Sequence, residues 1–571
     1  MDKRGIGRGR SVSWKTAVEH SESKRAAAVK GHSAGGDAVL RQPAARSGSP
    51  AVKRSEEPAG SLPAPGERSR TGRPLGGSFA QRRVAVAGGG IGGLTAALLL
   101  SHRGYQVTVF ERTGRLGGRM AYESDGGFRV DQGPTIVLLP GMLRSILEEG
   151  GLDLPAMGLV PVDPLYRIHF PDGKVMTKHR SAELQAGEIE RLFPGEGASF
   201  RRYMKEMKER FEAGRAQFLE KDFVRRRDFW TIRNVRSLMK LKAYLSVRRD
   251  AARYFRHPQL QEAYSFQTLY IGGNPDTTPA LYSLIPYSEH ADGIWYLQGG
   301  YAGLIGRLEE TLRSRGVTIR TGTPVEEVLT LGRRCIGVRA GGEKLAFEHV
   351  VLNGDFPGTA ALLGEQERGR AAARKYIPSS GCLLLYLGLN RTYPEASVHQ
   401  FFFIEGFRDM LASVFVKGEL PADPCIYVFH PSLIDPALAP PGKSVLYVLV
   451  PVPSGGGVDW SGREAVVDAV LRSLERRGFP GLRAAVEWMK VRTPEDALAE
   501  GLFGGGSFGI APSLQQSGVF RPQLAPFGIE GLYAVGASVH PGGGVPVVMQ
   551  GAKLLADHIL KKDCTANMHS I

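Results

Sequence analysis

The residues with the plainest chemistry lie near position 90. Val84-Ala85-Val86-Ala87 reads as a short buried strand that runs into Gly88-Gly89-Gly90-Ile91-Gly92-Gly93. Gly88, Gly90 and Gly93 meet the spacing G-x-G-x-x-G, with Ile91 and Gly92 inside the same turn. In this pattern the first glycine permits a tight turn and the second lets backbone approach a pyrophosphate. The third lets helix and strand pack closely, with phosphates at the helix N-terminus. Glycine triplets also occur in plain loops, so the context decides. A helix is expected over Leu94 to Arg103 and ends at Gly104. Gln106 to Phe110 reads as a second strand, and Glu111 stands at its end, eighteen residues after Gly93. A carboxylate there is placed to accept ribose hydroxyls, so the chemistry is dinucleotide binding.

A second glycine-rich turn stands near the other end. Leu532 to Gly536 reads as a strand and turn, and Ala537-Ser538-Val539-His540-Pro541-Gly542-Gly543-Gly544-Val545-Pro546 follows. A helix is then expected over Val547 to Leu560. Three glycines let backbone lie flat against a ring system, and the helix N-terminus directs partial positive charge at it. Gly536, Gly544, Val545 and Pro546 are the expected contacts. His540 is the candidate catalytic residue, as a proton acceptor. A histidine in such a place also serves as a hydrogen-bonded turn residue, and both readings stay open.

Glu111 is followed by Arg112-Thr113-Gly114-Arg115-Leu116-Gly117-Gly118-Arg119. Many FAD-dependent oxidoreductases follow the ribose-binding Glu with five residues and then Gly-Gly-Arg, and the stretch 84–119 resembles that pattern, including Ala97. Gly117 and Gly118 imply close backbone approach to further phosphate oxygens, and Arg119 supplies a fixed cation. An NAD-only domain does not ask for this second turn, so FAD is favoured. The segment 536–546 resembles the C-terminal FAD motif of bacterial phytoene and 4,4'-diapophytoene (dehydrosqualene) desaturases, within the carotenoid and retinoid oxidoreductases. It departs from that motif at Val539, where Thr is usual, and at Gly543, where Ala is usual. Asp131 to Thr135 resembles that family's turn beside the flavin, through Gly133, Pro134 and Thr135. Ser507 to Pro512 and Phe520 to Gln523 also resemble it. By the same resemblance Val325 is a candidate for the backbone contact to adenine, or else a plain core valine.

The resemblance covers roughly 82–560. It implies an α/β fold of flavin amine oxidase-like architecture, in which a Rossmann-like FAD-binding domain is assembled from both chain ends around an inserted α+β substrate domain. It implies FAD as cofactor, a lipophilic C30 or C40 polyene as substrate, and desaturation by loss of a hydride and a proton. A sister activity, oxygenation of a terminal methyl group, is the alternative. A flavin amine oxidase and a non-enzymatic prenyl-binding protein of this fold are the remaining readings. Arg112, Arg119 and Asp131 are expected to organise cofactor and pocket.

The elements that must position these residues follow from composition. The chain has 571 residues, 42% hydrophobic, with net charge +16. Residues 1–80 carry fifteen Lys and Arg against seven Asp and Glu, with Trp14 and Phe79 the sole aromatics. Such a segment cannot bury enough surface to offset its ordering entropy, and a disordered basic extension is expected. A transit peptide or a nucleic-acid-binding arm is the alternative there. Residues 221–256 carry twelve Lys and Arg against three Asp, interleaved with Phe223, Phe229, Trp230, Leu238, Met239, Leu241, Tyr244 and Leu245. That mixture suits a helix lying on an anionic membrane surface, or a solvated basic face. No nucleic-acid motif accompanies the charge. Four scattered cysteines give neither a disulfide framework nor a metal site, and no apolar run of 18 residues occurs. A cytoplasmic protein bound peripherally to membrane is the resulting expectation. The expected units are FAD-binding segments at 81–150, 301–360 and 501–562, a substrate and membrane-facing insert at 151–300, a substrate-domain sheet at 361–500, and a tail at 563–571.

Overall fold

The computed structural model describes residues 82–153, 158–223, 229–365 and 375–568. The basic extension, Arg225, Arg226 and Arg227 lie outside the described residues. A five-stranded parallel sheet is built around Arg83–Ala87. Its order is Leu532–Ala534, His349–Leu352, Arg83–Ala87, Gln106–Phe110, Thr318–Arg320. Strands from the start, middle and end of the chain therefore lie side by side. Val84, Ala85 and Val86 are fully buried, as a parallel strand covered on both faces requires.

The helix Ile91–His102 packs on one face of this sheet, between the helices Gly300–Ser314 and Val545–Met568. It is buried from Gly92 to Leu100, which is why it is apolar all round rather than amphipathic. Gly93 makes the close approach possible: a Cβ there would lie 2.3 Å from the Gly88 carbonyl oxygen. The other face is covered by the antiparallel strands Val325–Leu331, Arg334–Ala340 and Glu343–Ala346.

A second, seven-stranded sheet runs Val486–Arg492, Gly381–Leu389, Ser444–Val452, Ile426–Phe429, His399–Phe402, Tyr166–His169, Val175–Lys178. Alternation along its strands divides it into two faces. Leu383, Leu385, Phe402 and Val448 pack under the helix Arg463–Arg477. Leu384, Phe401 and Tyr427 face the other way. Phe401-Phe402-Phe403 is split by this alternation: Phe401 and Phe403 line a cavity and Phe402 is core.

The helices Ala182–Leu192, Gly197–Gly214, Pro258–Ala263 and Leu284–Ala291 close over the cavity face. Two buried ion pairs lie among them. Arg210 donates to Asp250 at 2.8 Å and to the carbonyls of Leu241 and Ala280. Lys178 stands 3.7 Å from Glu289, both fully buried, and 3.8 Å from the centre of the Tyr264 ring.

The helix Ile232–Lys240 is turned inside out. Asn234 and Ser237 are buried, and donate to the Phe229 carbonyl at 2.7 Å and to Gln217 at 2.5 Å. Trp230, Ile232 and Met239 are 54%, 76% and 59% exposed. No helix among the described residues is long and apolar enough to cross a membrane.

Candidate cofactor and substrate site

A cavity of about 1000 Å³ extends from the glycine turns of the first sheet to the face of the second. Gly88, Gly90, Ile91, Gly92, Glu111, Arg112, Gly117, Gly118, Arg119, Gly133, Pro134, Thr135, Val325, Gly536, His540, Gly544, Val545 and Pro546 all line it. Gly93, like Asp131, does not. It supports the helix–strand packing instead.

The turn after Ala87 is held from several sides. The Gly88 amide donates to the Phe110 carbonyl at 2.8 Å, and Gly88 has φ +111°, where a side chain is strained. The Gly89 amide donates to Oε2 of Glu111 at 2.8 Å, while the amide and hydroxyl of Thr113 donate to Oε1 at 2.9 Å. Glu111 is thus fixed by the loop it must serve. Asn353 donates from Nδ2 to the Gly88 carbonyl at 3.1 Å. The first amides of the helix at Ile91 have no intrahelical acceptor and carry the positive end of its dipole.

Asp355 was not singled out from sequence, and it is the hub. Its carboxylate accepts from Arg119 at 3.1 Å, from the Phe503 amide at 3.0 Å and from the Ser538 hydroxyl. It joins three segments far apart in sequence. The signal available was its place after a buried strand, in Asn353-Gly354-Asp355. Arg119 keeps its Nε buried and without a protein partner. Arg112 donates to the Glu500 carbonyl, away from the turn it follows. Asp131 caps the helix Gly300–Ser314 by accepting from the amides of Tyr301 at 2.7 Å and Ala302 at 3.2 Å. Burial raises its pKa to about 7.

The C-terminal turn is scaffolded by Arg521, which is buried and donates to the carbonyls of Gln516, Ile510 and Ala537. The His540 amide donates to the Pro522 carbonyl at 2.8 Å. The Phe520 to Gln523 motif therefore serves the turn that follows it. His540 Nε2 donates to the Lys221 carbonyl at 2.9 Å, leaving Nδ1 as an unshared lone pair. Burial pushes its pKa down to about 4, so the ring is neutral near pH 7.

Beyond these turns the cavity becomes apolar. Phe211, Phe218, Phe266, Leu284, Leu384 and Leu449 are among its walls. Tyr270, Phe401 and Tyr427 form a stack along it, with centroid separations of 6.0 and 4.8 Å.

Residues 91–560 match the model of the flavin-containing amine oxidoreductases. A 4,4'-diapolycopen-4-al dehydrogenase of Metabacillus indicus is 51% identical over 84% of this chain and 97% of its own length. A zeta-carotene-forming phytoene desaturase of Myxococcus xanthus is 34% identical over 84% of this chain and 94% of its own. This chain belongs to the carotenoid desaturase branch of the flavin-containing amine oxidoreductases. It is an FAD-dependent oxidoreductase. A diapophytoene desaturase of Staphylococcus haemolyticus is a further relative, 32% identical over 84% of this chain and 98% of its own. The fold of this flavoprotein is shared with a putrescine oxidase (TM-score 0.56, 14% identity, 84% of this chain and 99% of that one). An oxidoreductase of Methanosarcina mazei shares it too (TM-score 0.57, 18% identity, 83% and 100%).

Proposed function

We propose that the flavoprotein oxidises a linear C30 or C40 polyene, taking a hydride from an allylic carbon while a proton leaves the neighbouring carbon. The observation that carries this is the continuity of one cavity from two glycine-rich turns into an apolar, aromatic-walled passage. A long hydrocarbon can lie in such a passage with one bond presented beside the turns. FAD, when bound, supplies the hydride acceptor.

The residues fit that cofactor. The glycine cradle leaves backbone bare at Gly88, Gly90 and Gly92 for a pyrophosphate, and Gly117 and Gly118 lie across from it, with Gly90 and Gly117 bridged. Glu111 is the acceptor for ribose hydroxyls. Arg112 and the buried Arg119 Nε offer cationic donors, and Val325 offers backbone toward adenine. Gly133, Pro134, Thr135, Gly536, Gly544, Val545 and Pro546 surround the ring end. His540 anchors the turn rather than accepting the substrate proton, since burial makes it a weak base.

A second reading is favoured by one finding. The relative at 51% identity is named for an aldehyde at the end of a C30 chain. Under that reading the terminal carbon is oxidised. Holoprotein incubated with phytoene, diapophytoene and a C30 polyene aldehyde separates the two. Lengthened chromophores on the first two substrates support desaturation, and a carboxylic acid from the third supports terminal oxidation. No change in any of them overturns both.

The inverted helix Ile232–Lys240 is proposed to seat the protein on the cytoplasmic face of an anionic membrane. Trp230, Ile232 and Met239 face outward beside exposed Arg233, Arg236 and Lys240. Beneath them Phe218 and Leu281 are shared with the cavity wall, so substrate enters from lipid at this point.

A further inference from the structure

One polar knot interrupts the apolar wall. Where the turn at Thr135 meets the second sheet, Thr135 Oγ1 and the Tyr427 hydroxyl are 2.6 Å apart, and both residues line the cavity. The same hydroxyl is 2.8 Å from Nδ1 of His399. His399 is fully buried behind Tyr427, stacked on Phe429 at 4.8 Å, and its Nε2 has no partner. Burial pushes its pKa down to about 3, so the ring stays neutral. The surrounding wall, Cys382, Leu384, Phe401, Cys425 and Leu449, offers no competing charge.

A plain hydrocarbon has no use for this arrangement. Burying a phenol and an imidazole in an apolar wall costs free energy unless they meet partners. Packing alone would be served by two phenylalanines. The proton inventory is informative. A phenol oxygen can accept two hydrogen bonds and donate one, and a neutral imidazole has one N–H. When Nδ1–H of His399 and the Thr135 hydroxyl both donate to the phenol oxygen, no donor of the three is idle except the phenol proton itself. That proton is free to point into the cavity.

We infer that Tyr427, held by Thr135 and His399, donates a hydrogen bond to the oxygen of an oxygenated polyene end, so that the cavity selects an aldehyde-ended C30 chain over the bare hydrocarbon. This rests on the polyene reading above and deepens its second form. The anchor lies beside the turn expected next to the ring of the cofactor, so a terminal carbon held there is the one presented for oxidation.

The test uses FAD-loaded protein and two polyenes of equal length, one ending in an aldehyde and one in methyl groups. Tyr427→Phe should raise KM for the aldehyde roughly ten-fold, the size of one lost hydrogen bond, and change that for the hydrocarbon much less, because the ring that walls the passage is kept. The absorption band of the conjugated aldehyde should shift to the red on binding wild type, and less on binding the variant. His399→Leu keeps the phenol but frees its orientation, and should raise the aldehyde KM by a smaller factor. This second variant also serves if Tyr427→Phe fails to retain flavin. Equal losses on both polyenes, or an unchanged aldehyde KM and band, overturn the anchor while leaving the polyene reading intact. Wild type that binds neither polyene overturns the polyene reading and the anchor with it.

Discussion

Glu111 shows how one carboxylate can serve two masters. It holds the Gly89 and Thr113 amides and still lines the cavity. Glu111→Ala should therefore loosen the turn as well as remove the ribose acceptor. Charged hydrogen bonds of this kind are worth about 1.5–3 kcal/mol each, so flavin affinity should fall by ten-fold or more. Flavin titration measures it, and unchanged affinity would sink the assignment. His540 makes a different prediction. Its folded pKa of about 4 lies below the ordinary 6.5. The unfolded chain therefore binds the extra proton first, and the stability carried by the neutral ring is full above pH 6.5 and lost as pH falls toward 4. The effect is on the order of 3 kcal/mol. Thermal melts across that range should show wild type losing its margin over His540→Gln, and parallel curves would count against it. At this scale the glycines and Glu111 were legible in sequence because their spacing follows from the shape of a nucleotide. Asp355 and the Thr135–Tyr427–His399 knot were not, because their partners come from distant strands and no local spacing encodes them.

Among elements, the strand Val175–Lys178 and the helix Leu284–Ala291 are tied by a pair that no solvent reaches. Burial lowers the Lys178 pKa to about 8 and raises that of Glu289, so both are pushed toward neutrality and held against it by each other and by Tyr166. Removing one partner strands the other. Lys178→Met should destabilise by about 3–5 kcal/mol, and the double variant Lys178→Met/Glu289→Gln should recover much of that. A double variant no more stable than the single one in thermal unfolding would contradict the coupling. Element types were readable along much of the chain because period-two and helical patterns differ plainly. Two readings needed the fold. Phe401 to Phe403 could not be divided between faces until the strand register was known. The helix Ile232–Lys240 turns Ile232, Val235 and Met239 outward and Asn234 and Ser237 inward, an orientation that its charge pattern alone does not give.

For the whole molecule, the exposed apolar strip and its flanking cations predict binding to anionic vesicles that weakens with salt. Cations near such a surface contribute about 1 kcal/mol each, screened over about 8 Å at physiological ionic strength. Replacing Arg233, Arg236 and Lys240 by Glu should release the protein from the vesicles in co-sedimentation, with flavin content unchanged. Lys242 belongs outside this set, because Glu206 already engages it. Persistent sedimentation of the triple variant would place the membrane contact elsewhere. The family architecture was legible at this scale from two turns more than 400 residues apart in the sequence. What the sequence left open was the course of the cavity between them, which depends on how seven strands align.

The order of the first sheet carries a consequence for biosynthesis. The strand His349–Leu352 lies between Arg83–Ala87 and Leu532–Ala534, and Asp355 takes its third partner from Ser538. The wall of the cofactor site is therefore completed by residues more than 400 positions after the first glycine turn. A nascent chain halted near residue 500 has its first glycine turn and Glu111 but no ring-end turn and no C-terminal helix. Cofactor capture must wait for the segment Leu532–Met568, and a stop codon placed before it should abolish flavin binding as completely as a mutation in the first turn. Released chains truncated at residue 500 and at residue 568, compared for flavin fluorescence, would separate the two stages.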